Sequence, residues 1–181
     1  MPTRRAAPRA PFPVGLRVLT LVDRSRTVTV AGRRGPRTLV TYVRYPASAA
    51  HARGDIPRAT PDRAGAPYPL VVFGHGFDVL PSLYAQLLRA WASAGYVVAA
   101  PTFPLENADA PGGPDEADLV NQPRDMSFVI SALTGRRSPL AGLVDPERIA
   151  VAGHSDGGET ALAVAYDRYF RDPRVRAYAR R

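Results

Sequence analysis

The sequence predicts an α/β protein whose central sheet is mostly parallel and covered by helices on both faces. From residue 69 onward, apolar runs of strand length alternate with segments whose apolar residues recur at helical spacing. This alternation indicates a parallel sheet with right-handed crossovers. A nearly continuous apolar run at 149–152 predicts a strand that is buried on both faces. It leads into the pentapeptide Gly153-His154-Ser155-Asp156-Gly157, which fits the pattern G-x-S-x-G.

The first part of the chain predicts antiparallel strands. Residues 1–13 are rich in arginine, proline and alanine, which predicts a disordered tail before a domain over 14–181. Segments 16–22 and 27–30 indicate one interrupted strand or a broken hairpin, and 38–45 is a β-branched and aromatic strand. Strands joined by a short turn run antiparallel. We therefore expect these first strands to form an antiparallel pair at the edge of the sheet. Residues 47–68 lack periodicity and predict a loop.

The second part predicts three strands and three helices. We expect strands at 69–73, 96–100 and 149–152, and helices at 83–91, 125–133 and 160–169. A long acidic loop at about 104–121 and a second loop at 136–147 connect them. The segment 174–179 is compatible with the start of a further strand.

Composition indicates one globular domain and excludes several functions. The chain has 181 residues, a hydrophobic fraction of 45% and no cysteine, which excludes disulfides and thiolate metal sites. The net charge is +8, but every basic residue is a scattered arginine without interleaved aromatic residues, so we expect no nucleic-acid binding. The acidic loop lacks the D-x-D-x-D-G spacing of a calcium site and predicts a solvated loop near the cleft mouth. We expect no metal and no cofactor.

Neither a membrane span nor an export signal is recognisable. No stretch reaches the ~18 apolar residues that a transmembrane helix needs. A signal peptide requires an uninterrupted apolar region after its basic residues. After Arg4 and Arg5, prolines and Arg17 interrupt any such region. The sequence does not fix the localisation: without a recognisable signal peptide it predicts a cytoplasmic protein as written, and a secreted one if its N-terminus is incomplete.

The pentapeptide predicts a sharp turn that exposes the Ser155 hydroxyl between a strand and a helix. A side chain at Gly153 or Gly157 would meet the neighbouring strand or helix where the chain reverses, which explains both glycines. Asp156 opens the helix, so its backbone N–H can point toward a developing oxyanion. The alternative is a glycine-rich connection with an incidental serine. A second motif, at 71–77, argues against that alternative.

Two stretches resemble the α/β-hydrolase superfamily. They are Phe73-Gly74-His75-Gly76-Phe77 and Gly153-His154-Ser155-Asp156-Gly157-Gly158, and the segments 96–101 and 122–128 also fit. The similarity covers roughly residues 16–179. It is greatest to serine esterases of the dienelactone hydrolase, chlorophyllase, cutinase and platelet-activating-factor acetylhydrolase type. The resemblance implies that this chain forms only the N-terminal part of an α/β-hydrolase fold.

The resemblance implies roles for the residues of both motifs. Ser155 would be the nucleophile, placed on a nucleophile elbow, and would attack an ester carbonyl to form an acyl-enzyme. The backbone N–H groups of Phe77 and Asp156 would form the oxyanion hole, each contributing about 3 kcal/mol of transition-state stabilisation. The substrate would be a small-molecule or lipid-like ester. The residues that would support the elbow and the turn are Gly153, His154, Gly157, His75 and Gly76.

No histidine follows Ser155, although the resemblance implies the chain order serine, acid, histidine. The three histidines are His51, His75 and His154. We expect His154 to pack under the elbow, His75 to shape the turn before Phe77, and His51 to be a solvated loop residue. The sequence thus lacks an evident general base.

The sequence therefore predicts a partial serine hydrolase domain, without the later strands that carry the triad acid and histidine. Asp167 and Asp172 lie within or just after the helix of Ser155, which is too early for the acid. Such a chain is expected to be nearly inactive and to leave the strand 149–152 as an exposed apolar edge. The competing hypothesis is a non-catalytic interaction module, completed at that edge by a partner chain or an oligomer.

Overall fold

A computed structural model of the chain describes residues 11–50 and 52–175. The strands are β1 (Val14–Val30), β2 (Arg33–Pro46), β3 (Asp55–Pro57), β4 (Tyr68–Gly74), β5 (Val97–Pro101) and β6 (Val144–Gly153). The α-helices are α1 (Ala85–Ser93), α2 (Gln122–Thr134) and α3 (Asp156–Tyr166). Two 3₁₀ helices, Pro81–Tyr84 and Glu116–Asn121, precede α1 and α2.

The described strands form one mixed sheet in the order β3-β1-β2-β5-β4-β6. β4 lies between β5 and β6 and is parallel to both, whereas β1 with β2 and β2 with β5 are antiparallel. The predicted fold class is therefore confirmed, including the antiparallel strands at its start. Because β4 and β6 are parallel neighbours, the loops that follow them emerge at the same edge of the sheet.

The structure decides one alternative for the first part of the chain and corrects one prediction. β1 is the interrupted strand, with a bulge between Asp23 and Thr27, and the hairpin alternative is wrong. The predicted loop 47–68 contains β3, which pairs with the start of β1 and forms the edge of the sheet in place of β1 and β2. β3 is held there because Asp55 accepts from Arg44 and Arg89, with N···O distances of 2.9 Å in both ion pairs.

The start of the predicted domain also differs from expectation, and the end carries the first residue of a possible strand. Phe12 packs edge-on against Tyr68, and its N–H donates to the carbonyl of Ser93 at 2.8 Å, so the predicted tail over 1–13 extends too far. Residues 1–10 lie outside the described residues. Val175 forms a parallel bridge with Ile149, and the rest of the predicted strand at 174–179 lies mostly outside them as well.

The core occupies both faces of the sheet. On β4, Leu70 and Val72 face the layer of α2 and α3, while Val71 and Phe73 face α1. This alternation follows from the two-residue period of a strand, and it is why a central strand needs apolar residues at every position. No helix among the described residues has the length and apolar character needed to cross a membrane.

A buried ionic cluster joins the β1–β2 hairpin to α2. Arg37, only 2% exposed, donates to both oxygens of Asp125 at 2.6 and 2.7 Å and to both oxygens of Asp118 at 2.7 and 2.9 Å. Arg26 adds a further hydrogen bond of 2.7 Å to Asp125. The acidic loop is thus not wholly solvated as predicted, since Asp118 is buried by its pairing with Arg37.

Candidate active site

The turn between β6 and α3 holds Ser155 in an unusual backbone conformation. Ser155 has φ of 53° and ψ of −124°, and its side chain is exposed. A positive φ at a residue with a Cβ costs on the order of 1–3 kcal/mol and persists only where the surrounding structure enforces it. Here the strand that ends at Gly153 and the helix that begins at Asp156 enforce it.

Close backbone packing surrounds this turn. A Cβ at Gly153 would overlap the carbonyl of Gly157, and a Cβ at Gly157 would overlap the carbonyl of Gly74 on β4. A Cβ at Gly74 would lie 2.9 Å from the Cα of Gly157. The start of α3 therefore rests directly on the ends of β4 and β6, which only glycine permits.

The first backbone N–H of α3 is available to a ligand. The N–H groups of Gly157 and Gly158 donate to the carbonyls of His154 and Ser155 at 3.0 and 2.7 Å. Within the described residues, the N–H of Asp156 has no protein acceptor. It lies at the N-terminus of a helix, where the helix dipole favours negative charge.

The loop after β4 brings a second such N–H to the same edge. A Cβ at Gly76 would lie 3.2 Å from the Cβ of Ser155, so this loop is packed against the serine turn. The N–H of Phe77 donates to no acceptor in the described part of the chain, whereas that of Asp78 donates to the carbonyl of Glu106 at 3.1 Å. Asp78 has φ of 54°, which shapes the turn after Phe77.

His75 is buried beneath this loop, with both ring nitrogens hydrogen-bonded. Its Nε2 accepts from the N–H of Phe103 at 3.0 Å, so the proton is on Nδ1, which donates to the carbonyl of Gly76 at 2.8 Å. Burial lowers the pKa of His75, which favours this neutral form. Neither nitrogen is free to take a proton from Ser155.

His154 lies elsewhere than predicted. It is exposed rather than packed under the turn, and its Nδ1 is hydrogen-bonded to the hydroxyl of Tyr84 at 3.0 Å. The same hydroxyl accepts from the N–H of Gly76 at 3.3 Å, so Tyr84 links the loop after β4 to the serine turn. The third histidine, His51, lies outside the described residues.

A buried carboxyl that the sequence did not point to lies beside the site. Glu106 is completely buried, and its carboxyl lies next to that of Asp156. Burial, together with the neighbouring carboxyl of Asp156, raises the pKa of Glu106 to about 8. A single glutamate in a polar loop has no pattern that distinguishes it, so no sequence signal identified it.

The immediate surroundings of the Ser155 hydroxyl contain no histidine partner. Within the described residues, its hydrogen-bond partner is Oδ1 of Asp156, at 3.2 Å. Asp167 and Asp172 make local contacts, with backbone N–H groups and, for Asp172, with Arg174. No group of three or more histidine, aspartate or glutamate side chains in the described part of the chain is arranged to hold a metal ion.

Comparison with solved structures agrees with this architecture. A ferulic acid esterase from Streptomyces cinnamoneus is similar over 94% of this chain and 59% of its own, with 31% identity and a TM-score of 0.77. The α/β-hydrolase fold inferred from the two motifs is therefore confirmed.

Comparison with curated proteins confirms the resemblance to chlorophyllases and platelet-activating-factor acetylhydrolase. Chlorophyllase-2 of Arabidopsis thaliana is 31% identical over 111 residues, which are 61% of this chain and 33% of that protein. Platelet-activating factor acetylhydrolase of Cavia porcellus is 25% identical in an alignment of 160 residues. The match covers 62% of this chain and 35% of that protein. The chain thus spans about a third of the length of these relatives. The chlorophyllase family model matches residues 40–172, which include both motifs, and the chain therefore belongs to the chlorophyllase family.

Proposed function

We propose that the protein hydrolyses carboxylic esters through an acyl-enzyme on Ser155. Its Oγ attacks the ester carbonyl carbon, and the resulting oxyanion accepts hydrogen bonds from the N–H groups of Phe77 and Asp156. Collapse of this intermediate expels the alcohol, and water then releases the acid from the serine. The proton of Ser155 passes to a general base, and neither His75 nor His154 is hydrogen-bonded to its Oγ.

One observation carries this proposal. An exposed serine with a strained backbone precedes Asp156 and is packed against the loop that carries Phe77, and the N–H groups of both residues have no acceptor in the described part of the chain. The N–H groups of Gly76, Asp78, Gly157 and Gly158 in the same turns are hydrogen-bonded, whereas those of Phe77 and Asp156 are open to a ligand. Membership of the chlorophyllase family and the similarity to an esterase structure support the same reaction.

We further propose that the apolar part of the ester contacts the surface next to Phe77. The side chains of Phe77, Leu83 and Leu87 are 40%, 67% and 44% exposed, and they follow one another from the loop after β4 into α1. Exposed apolar side chains beside a reactive group favour a small apolar or lipid-like substrate.

The test is acylation of the native chain by p-nitrophenyl butyrate, followed by peptide mapping with mass spectrometry. The sequence has no lysine or cysteine, which removes the usual competing nucleophiles. We expect the acyl group on the peptide containing Ser155, and no such label in Ser155→Ala. Ser82→Ala, which removes an exposed serine of the neighbouring 3₁₀ helix, should label like the native chain. The proposal would be refuted if Ser155→Ala were acylated as much as the native chain, or if the native chain were not acylated at all.

Turnover by this chain should be slow, about 10⁴-fold below that of a complete triad, because no base for Ser155 lies in the described residues. Rapid release of p-nitrophenol that depends on Ser155 would contradict this expectation and show that the chain supplies a base.

A second candidate function is favoured by the position of β6 at the edge of the described sheet. We propose as the alternative that the chain is a non-catalytic module whose sheet is completed there by a partner chain or by a second copy. A stable, folded oligomer in size-exclusion chromatography with light scattering, together with an unreactive Ser155, would favour this alternative.

A further inference from the structure

Glu106 touches both halves of the proposed oxyanion site. Its backbone carbonyl accepts the N–H of Asp78, the residue after Phe77, at 3.1 Å. Its side chain lies next to the carboxyl of Asp156, which in turn accepts from the Ser155 hydroxyl at 3.2 Å. A single residue therefore contacts the loop after β4 and the first residue of α3.

The side chain of Glu106 has the environment of a protonated acid. The residue is 0% exposed, and within the described residues neither of its oxygens makes a well-formed hydrogen bond. Among the described residues, the carboxylates of Asp156, Asp118 and Glu116 raise its pKa further. A buried carboxyl among carboxylates keeps its proton, since ionisation would add an uncompensated charge to a dry site.

We propose that Glu106 is a positioning residue of the serine turn. In its protonated form it donates a hydrogen bond to the Asp156 carboxylate, which holds Asp156 in place and keeps the charge of the carboxyl pair at −1. This inference rests on the proposed role of Ser155, because the pair acts through Asp156 on the Ser155 hydroxyl and on the Asp156 N–H.

The pair makes reactivity depend on pH. The pKa of Glu106 is raised to about 8, so the proton is held at neutral pH and lost above pH 8. Ionised Glu106 would repel Asp156 and place a second negative charge beside the position where the oxyanion develops. Both effects oppose attack by Ser155, so the rate of acylation should fall as Glu106 ionises.

The first experiment titrates the carboxyls directly. The sequence contains four glutamates, so ¹³C NMR of the full chain labelled at the glutamate side-chain carboxyl gives few signals. We expect one signal that titrates near pH 8 and is absent from Glu106→Gln, and we expect Asp156→Asn to lower the pKa of that signal. A Glu106 signal that titrates near pH 4.5, or one unchanged by Asp156→Asn, would overturn the proposed pair.

The second experiment links the pair to Ser155. The glutamine of Glu106→Gln can still donate to Asp156 but does not ionise. The ratio of the native acylation rate to that of Glu106→Gln should fall about tenfold between pH 7 and pH 9. Asp109→Asn, which removes an exposed carboxylate from the same loop, should keep the native pH profile. Equal pH profiles for the native chain and Glu106→Gln would overturn the positioning role and leave the proposed function intact.

Failure of the proposed function gives a different result. A Glu106 signal that titrates near pH 8 and shifts in Asp156→Asn, without any acylation of Ser155, would confirm the carboxyl pair. It would also refute ester hydrolysis, and with it the role assigned to the pair in that reaction.

Discussion

At the scale of single residues, the serine turn depends on the absence of side chains. The carbonyl of Gly74 occupies the position that a Cβ of residue 157 would need, and both groups belong to rigid elements. We expect Gly157→Ala to destabilise the protein by about 3 kcal/mol, because α3 must move away from β4. Urea denaturation followed by circular dichroism measures this loss.

Gly158→Ala is the matched control for this substitution. A Cβ there would lie 3.6 Å from the carbonyl oxygen of Gly153, an ordinary van der Waals contact. Alanine also favours a helix over glycine, so Gly158→Ala should leave stability unchanged or raise it by up to about 1 kcal/mol. Equal losses for the two variants would show that packing against β4 does not decide the choice of glycine.

Individual residues also show which parts of the site follow from local sequence. The turn at Ser155 and its flanking glycines are encoded in five consecutive residues, so the pattern predicts them. Glu106 and Tyr84 act on this turn from distant segments, and their contacts arise only from the packing of the whole domain. The exposed position of His154 does not follow from the pentapeptide, and its hydrogen bond to Tyr84 joins segments 70 residues apart.

At the scale of elements, the β1–β2 hairpin is joined to α2 through Arg37. Removing one member of a buried ion cluster leaves the others as uncompensated charges, which typically costs 3–5 kcal/mol. We therefore expect Arg37→Met to lower the free energy of unfolding at pH 7 by about 3 kcal/mol or more, measured by urea denaturation. The carboxylates of Asp118 and Asp125 would then be buried without their bidentate partner.

Arg33→Met provides the comparison, since Arg33 is an exposed residue of the same hairpin. Its replacement should change stability by less than about 0.5 kcal/mol. If Arg37→Met were equally mild, the cluster would contribute no net stability, and apolar packing of the hairpin would have to hold it.

The longer elements were predicted by their periodicity, whereas the shortest strand was not. β4, β5 and the three helices have apolar positions at a regular spacing, which comes from burial of one or both faces. β3 has three residues, Asp55–Pro57, too few for any period. Its place in the sheet depends on Arg44 and Arg89, contacts between segments that a local pattern does not contain.

At the scale of the whole molecule, the described sheet ends in two different ways. β3 closes one side with a short, charged strand, whereas β6 ends the other side with a long one. Every second amide of β6 points away from β4, because a strand donates alternately to its two sides. We therefore expect alternating amide hydrogen exchange along β6 and uniform protection along β4, measured by NMR.

The bridge between Ile149 and Val175 covers one end of β6, and protection there should be higher. Uniformly slow exchange along all of β6 would contradict an open edge. If slow exchange along all of β6 became faster on dilution of the protein, a strand from a second copy of the chain would be covering that edge.

The strand order also has a consequence for when the site forms during folding. The loop of Phe77 and the turn of Ser155 follow β4 and β6, which are neighbours in the sheet but about 80 residues apart in the chain. Contacts between such distant segments form late, because they require closure of a long loop. During synthesis the loop after β4 emerges well before the serine turn. A partly folded chain therefore has the Phe77 N–H in place before Ser155 lies beside it.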